Sequence, residues 1–346
     1  MCGVLELDPF KLQFPTEQAC MEALFCARWP DGFRCPKCGC ARAYVLRKRK
    51  SYQCAVCRYQ CSLTAGTIFE RSRTPLRKWF LAMMLVARPN GIRATALREI
   101  LGVTYKTAWT MLMKIRTAIS RDSDRQWLTG TVRMNTAIFG TKARSTLSNL
   151  GVGERHVVAG ASMGENGEAA QLKIKLVDKR HTDGGRPLPA SIQAFQQAHV
   201  DPSAEDVHGV YKRFSRERYH SLLSKVKEAQ QWLYKTYIAV GVKHLQKYLD
   251  EFCFRSNEQY QVQYQVLKVG ENSVKAIPDC SKSGVQTELQ DRTWNPRKRD
   301  VEREGSHLVF QSLLKLCARE TAVPYREIVC SQTVNPVIGT IRGSAA

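Results

Sequence analysis

Cys35-Pro-Lys-Cys38-Gly-Cys-Ala-Arg-Ala-Tyr-Val-Leu-Arg-Lys-Arg-Lys-Ser-Tyr-Gln-Cys54-Ala-Val-Cys57 holds two Cys-x-x-Cys knuckles with fifteen residues between them. A two-residue gap lets both sulfurs of a knuckle point at one ion. Two such pairs brought together by a hairpin complete a tetrahedral thiolate shell of the kind zinc takes. Cys35, Cys38, Cys54 and Cys57 are therefore the expected ligands of a structural Zn²⁺. Ala43 to Leu46 and Tyr52-Gln53 read as short strands, joined by the basic turn Arg47-Lys48-Arg49-Lys50. That is the layout of a zinc ribbon, with four cations displayed at its tip. Four unconnected structural thiols are the alternative, and they would have no reason to keep this spacing. Cys40 and Cys61 lie nearby but outside the knuckles and are not counted as ligands.

With 346 residues the chain has room for two or three domains and a sizeable core. Thirteen cysteines could suggest a secreted disulfide scaffold, but the start, Met1-Cys-Gly-Val-Leu-Glu-Leu-Asp8, has acids and no basic leader. The remaining thiols are scattered singly, as in a reducing cytosol. The longest apolar run, Trp79 to Ala87, is too short to span a bilayer. The expectation is a soluble cytoplasmic protein. Its net charge is +22, and residues 1–120 carry 20 Lys and Arg against 7 Asp and Glu. Such a basic surface condenses on polyanions by counterion release, so nucleic acid is the expected partner and the nucleoid the expected place.

Ahead of the knuckles, Thr16 caps an expected short helix with Cys20, Ala23, Leu24 and Ala27 on one face. After them, Ser62-Leu-Thr-Ala-Gly-Thr67 is small and polar, suited either to lay amides along phosphates or to serve as a linker. From Pro75 the period becomes 3.6, with Leu76, Trp79, Phe80, Met83, Met84 and Ala87 on one face, ended by Arg88-Pro-Asn-Gly91. Ile92 to Leu101, Gly102-Val103 and Thr104 to Arg116 have the grammar of a helix-turn-helix. Tyr105, Lys106 and Thr107 at the start of its second helix would meet base edges or phosphates in a major groove. The other possibility is a helical hairpin with a solvated basic face.

Arg121-Asp-Ser-Asp-Arg125 reads as a linker. Val132 to Phe139, Val157 to Ala161 and Ala170 to Val177 then read as strands, with Gly164-Glu-Asn-Gly167 a hairpin turn. Residues 181–190 are loop-like, Ile192 to Ala198 helical, and Tyr219 to Glu251 helical with a break at Ile238 to Gly241. Gln259-Tyr-Gln-Val-Gln-Tyr-Gln265 alternates like a strand. The expected class is multidomain α/β, with strands followed by helices in the second half.

This order resembles insertion-sequence transposases of the DDE type that carry an N-terminal zinc ribbon and an ISXO-like catalytic domain. Cys35-Pro-Lys-Cys38 through Thr64-Ala-Gly-Thr-Ile-Phe69 is similar to the family's ribbon and its exit. Gly102-Val-Thr-Tyr-Lys-Thr-Ala-Trp109 with Met113-Lys-Ile-Arg116 is similar to its helix-turn-helix. Lys243 to Asn257 resembles a signature near the end of its catalytic domain, and Phe310-Gln-Ser-Leu-Leu314 and Tyr325-Arg-Glu-Ile328 echo its tail. The resemblance implies a zinc ribbon over 10–70, a helix-turn-helix over 71–120, a degenerate ribonuclease-H-like domain over 126–257, an insertion over 258–306 and a helical tail over 307–346. It also implies double-stranded DNA as substrate, a homo-oligomer, and catalytic Mg²⁺ held by carboxylates, since hard cations prefer anionic oxygen.

Where the family places its first acid, this chain has Asn135. The resemblance assigns the second to Asp206 and the third to Glu228. A neutral amide supplies no charge to a position that bridges two metals. Two readings follow: a transposase with impaired catalysis, or a non-catalytic DNA-binding protein descended from one.

Overall fold

The computed structural model describes residues 8–46, 51–140, 154–183, 186–212, 214–237, 240–271, 298–321 and Ile328. Helices α1 (Asp8–Gln13) and α2 (Glu17–Arg28) come first, and the Thr16 hydroxyl accepts from the Ala19 amide at 3.2 Å, capping α2. The ribbon is a three-stranded antiparallel sheet, β1 (Ala43–Leu46), β2 (Ser51–Cys54) and β3 (Gln60–Ser62). The third strand had no signal of its own in so short a stretch. Ser62 to Thr67 is neither an open amide track nor a plain linker. Thr67 Oγ1 donates to the Thr64 carbonyl at 2.7 Å, the Ala65 amide donates to Ser62 Oγ at 3.1 Å, and Leu63, Ile68 and Phe69 are buried.

Helix α3 (Leu76–Ala87) follows Pro75, whose ring carries no acceptor to cap it. Glu17 does so from far away in sequence: its carboxylate accepts from the amides of Leu76 (2.7 Å) and Arg77 (3.0 Å). Helix α4 (Ala94–Leu101) ends at Gly102, whose φ of 58° lies in the left-handed region glycine tolerates. Thr104 then caps α5 (Tyr105–Arg125) through the Thr107 amide. The helix runs straight through the Arg121–Arg125 stretch expected to be a linker, because Lys173 donates to the carbonyls of Ser123 and Gln126 and so caps its last turn.

The second half is built on a four-stranded sheet. β4 (Thr131–Phe139), β5 (Arg155–Met163) and β6 (Ala169–Leu176) are antiparallel neighbours. A short hairpin, β7 (Thr182–Asp183) and β8 (Arg186–Pro187), leads to α6 (Pro189–His199) and then to β9 (Asp206–Val210), which pairs parallel to β4. The sheet order is β6-β5-β4-β9. Helix α6 covers one face, setting Ile192 and Phe195 on Val132, Met134 and Val158. It lies close: a Cβ on Gly160 would sit 2.5 Å from the Phe195 ring, and one on Gly209 would sit 2.4 Å from Ile192. Helices α7 (His220–Tyr237) and α8 (Val242–Glu271) cover the other face, with Leu222, Val226, Leu233, Leu245 and Leu249 on Phe139, Val157, Ala159, Leu172 and Ile174. Burial on both faces explains why these strands read as apolar runs.

Helix α8 also closes the exposed edge of β6. Gln246 accepts from the Leu176 amide (2.8 Å) and donates to the Ile174 carbonyl (2.9 Å). Asn257 accepts from Leu172 N (2.7 Å) and donates to Leu172 O (3.2 Å). Amide side chains thus satisfy an edge that would otherwise template further pairing. Residues 259–265 continue α8, overriding the strand-like alternation; extending a formed helix is cheap, and Gln is a good helix former. The expected insertion therefore begins as more of α8, and Glu258 accepts from Ser312 Oγ at 2.6 Å. Ser312 belongs to α9 (Lys298–Arg319), whose Phe310, Leu313, Leu314 and Cys317 pack into the N-terminal core beside Phe14 and Phe80.

Candidate functional site

The two knuckles are geometric copies. The Gly39 amide donates to the Cys35 carbonyl and the Arg58 amide to the Cys54 carbonyl; Gly39 and Arg58 both have positive φ, 72° and 55°. For Arg58 that conformation is uncommon, and the knuckle turn imposes it. The four Sγ atoms lie within 4.8 Å of one another, with Cys35–Cys57 at 3.6 Å and Cys38–Cys54 at 3.5 Å. A tetrahedron with Zn–S bonds of ~2.3 Å separates its sulfurs by about 3.8 Å, so these four residues fit a structural zinc. Tyr52 anchors the ribbon to α2 and the segment after it through ring contacts with Phe25, Trp29 and Phe33, and Arg28 donates to the carbonyls of Ser62 and Leu63.

Of the residues expected at a nucleic-acid interface, Arg47, Lys48, Arg49 and Lys50 lie outside the described residues. Tyr105, Lys106 and Thr107 form the first turn of α5. Tyr105 and Lys106 are exposed, and Thr107 shares a 2.9 Å hydroxyl contact with Thr104.

The three positions assigned to a catalytic metal are not brought together. Asn135 is central on β4 and fully buried; its Nδ2 donates to the Tyr219 carbonyl at 2.8 Å, and its Oδ1 faces the Tyr219 amide at 3.5 Å. The amide therefore pins the entry to α7. In the parallel register Asn135 pairs with Val210, whereas Asp206 pairs with Thr131. Four residues at ~3.3 Å each put Asp206 about 13 Å further down the sheet. There it binds Arg133, whose hydrogen bond holds the Asp206 carboxyl below the usual range. Glu228 is on the exposed side of α7, 2.9 Å from Lys225 Nζ on its own helix. Gln230, two residues on and so about 200° around the helix, turns inward to the Gly140 carbonyl. One neutral amide and two outward or displaced carboxylates, each held by a cation, do not fit Mg²⁺, and no step is derived through it.

Asn135→Asp is expected to lower unfolding free energy by about 2–3 kcal/mol at pH 7, by setting a buried carboxylate against the Tyr219 carbonyl. Burial would raise that carboxyl's folded pKa above its unfolded value, so the cost should fade as pH drops and the protonated acid regains a donor. Urea unfolding at pH 7 and pH 4 measures this. Stabilisation of the variant by added Mg²⁺ would instead mean that the substitution had completed a ligand set.

What occupies this end of the sheet is a cavity of about 820 Å³ between β4, β8, the segment after β9 and α7. Arg186, Lys212, Arg218, Lys227 and His156 line it, with Ile138, Tyr211, Phe214, Leu223 and Val226 as apolar walls and, among the described residues, no carboxylate. The signal for it was present in Tyr211-Lys-Arg-Phe-Ser-Arg-Glu-Arg218, four cations in eight residues.

Residues 15–60 match the family described as the transposase zinc-ribbon domain. Over 285 residues the chain is 26% identical to an uncharacterized protein in transposable element ISH50 of Halobacterium salinarum, covering 70% of this chain and 91% of that protein. No solved structure matches. Among the described residues no helix is long and apolar enough to cross a membrane. Together the ribbon match and the insertion-sequence relative support a transposase-related function with structural zinc at the four cysteines.

Proposed function

We propose that this chain is a DNA-binding protein of DDE-transposase descent that recognises element ends and has lost most of its phosphodiester chemistry. Recognition falls to the zinc ribbon and to α4–α5, acting as a helix-turn-helix with Tyr105, Lys106 and Thr107 toward the groove. The charge of the first 120 residues supports this. Ribonuclease-H-like descent is supported by the β6-β5-β4-β9 order, with β9 alone parallel to β4. The observation that carries the loss of chemistry is Asn135, buried and committed to Tyr219 where a shared metal ligand would stand. Without that ligand the clamp on attacking and leaving oxygens is absent.

Two measurements test the proposal on the full chain. Duplex affinity should fall about a thousandfold between 50 and 200 mM salt, as six or more phosphate contacts require, and Lys106→Gln should flatten the slope by about one. Salt-insensitive binding, or none, argues against DNA recognition. In a cleavage and strand-transfer assay on the element's own ends the unaltered protein should yield little product. Efficient joining would overturn the loss of chemistry.

A further inference from the structure

We infer that the cavity beside Asn135 is a binding site for an unpaired nucleotide of single-stranded DNA, and that it takes the phosphate directly, without a divalent cation. This rests on the proposed DNA-binding function but concerns a different surface from the ribbon and α5.

Three observations carry it. First, four cations converge from separate segments: Arg186 from β8, Lys212 and Arg218 from the segment after β9, and Lys227 from α7. Arg218 is held in place by its donation to the Thr136 carbonyl. Among the described residues Arg186, Lys212 and Lys227 pair with no carboxylate. Glu154 and Glu217, the acids nearest this end of the sheet, are not among the described lining residues; Asp206 lies about 13 Å down the sheet on Arg133, and Glu228 is held by Lys225. Such a field repels Mg²⁺ and attracts phosphate oxygens.

Second, the cations stand beside an apolar wall. Phe214 is 76% exposed at the mouth, and Tyr211, Leu223 and Val226 lie further in. A basic groove with an exposed ring is the arrangement on which bases of a single strand stack while their phosphates follow the cations. Third, the volume of about 820 Å³ falls in the range of roughly 300–1,000 Å³ that encloses a small organic ligand. It suits an extruded nucleotide rather than a stacked duplex, whose paired bases offer no free face to Phe214.

The test is fluorescence anisotropy of labelled oligothymidylate, and of a duplex of the same length, on the full chain in buffer without magnesium and without chelator, so that the ribbon keeps its zinc. Oligothymidylate should bind, and added millimolar Mg²⁺ should not improve it. Phe214→Ala should weaken oligothymidylate binding about tenfold, in line with the loss of one base stack. Lys212→Gln with Lys227→Gln should weaken it about tenfold or more and leave duplex binding within about twofold, since phosphate contacts at this site are removed and those of the ribbon and α5 are kept. Lys235→Gln, exposed on the same helix but outside the cavity, is the charge control and should change neither. Oligothymidylate binding that is unaltered by the cavity substitutions, equally weakened by Lys235→Gln, or dependent on Mg²⁺ overturns the inference while leaving duplex recognition intact. Loss of duplex binding in the unaltered protein would instead count against the proposed function.

Discussion

Cys54→Ser should abolish stoichiometric zinc binding and unfold the ribbon, while Cys40→Ser should leave both unchanged. Both cysteines belong to the ribbon, but only Cys54 stands in a knuckle. Cys54 Sγ lies 3.5 Å from Cys38 Sγ inside the four-sulfur cluster, whereas Cys40 Sγ is outside it and accepts from the Arg42 amide at 3.4 Å. The ribbon strands are three or four residues long, far too short to be stable alone. Zinc therefore supplies much of the ribbon's folding free energy, about 10–16 kcal/mol in comparable small zinc domains at neutral pH. Loss of the ion should also loosen Tyr52 from Phe25, Trp29 and Phe33, because β2 carries both Tyr52 and Cys54. Metal analysis should give one zinc per chain for the unaltered protein, and limited proteolysis should cut the Cys54→Ser ribbon first. Purified protein with no zinc, or equal loss in Cys40→Ser, would sink the assignment.

Glu251→Ala should lower the free energy of unfolding by about 3–5 kcal/mol, the usual cost of stranding one member of a buried ion pair. Arg116 of α5 and Glu251 of α8 are 1% and 0% exposed and meet at 2.5 Å. The guanidinium also donates to Tyr237 Oη at 3.0 Å and lies 4.1 Å above the Tyr248 ring. Burial alone would depress the Arg116 pKa, but Glu251, with Tyr237 and Tyr248, outweighs it and the pKa is raised. Removing Glu251 leaves that charge dry and unpaired. Removing both charges does not, so Arg116→Met with Glu251→Leu should recover most of the loss. The pair also ties α5 to α8 and so to the sheet, helped by Arg255 on the carbonyls of Arg88 and Pro89 and by Trp232 on that of Asn90. Urea unfolding of the two singles and the double decides it. A single substitution costing under about 1 kcal/mol, the range of an exposed pair, would contradict this role.

Much of the local structure was legible in the residues. The cysteine spacing located the metal cluster, because a Cys-x-x-Cys turn aims its sulfurs by covalent geometry alone. Thr16 and Thr104 located two helix starts, since a hydroxyl can reach an amide only two or three residues ahead. Apolar runs located β4, β5 and β6, and Gly164 to Gly167 located the turn between the last two.

The relations between distant segments were not legible. The resemblance assigns the second acid to Asp206, but the register between β4 and β9 sets that acid opposite Thr131 and leaves Asn135 opposite Val210. Strand register depends on packing of both sheet faces, and a count along one strand does not contain it. The alternation of Gln259 to Gln265 was real, yet these residues continue a helix already anchored on the sheet edge by Gln246 and Asn257. Helix α9 joins the core of a region more than two hundred residues earlier, through Phe310 beside Phe14 and Phe80. The chain by itself thus determined the zinc knuckles, the caps and the strands, each set by bonds and contacts among near neighbours. Only the tertiary structure decided which charges share a cavity, and it gathered cations where carboxylates were expected, because that outcome depends on how strands and helices from four segments meet.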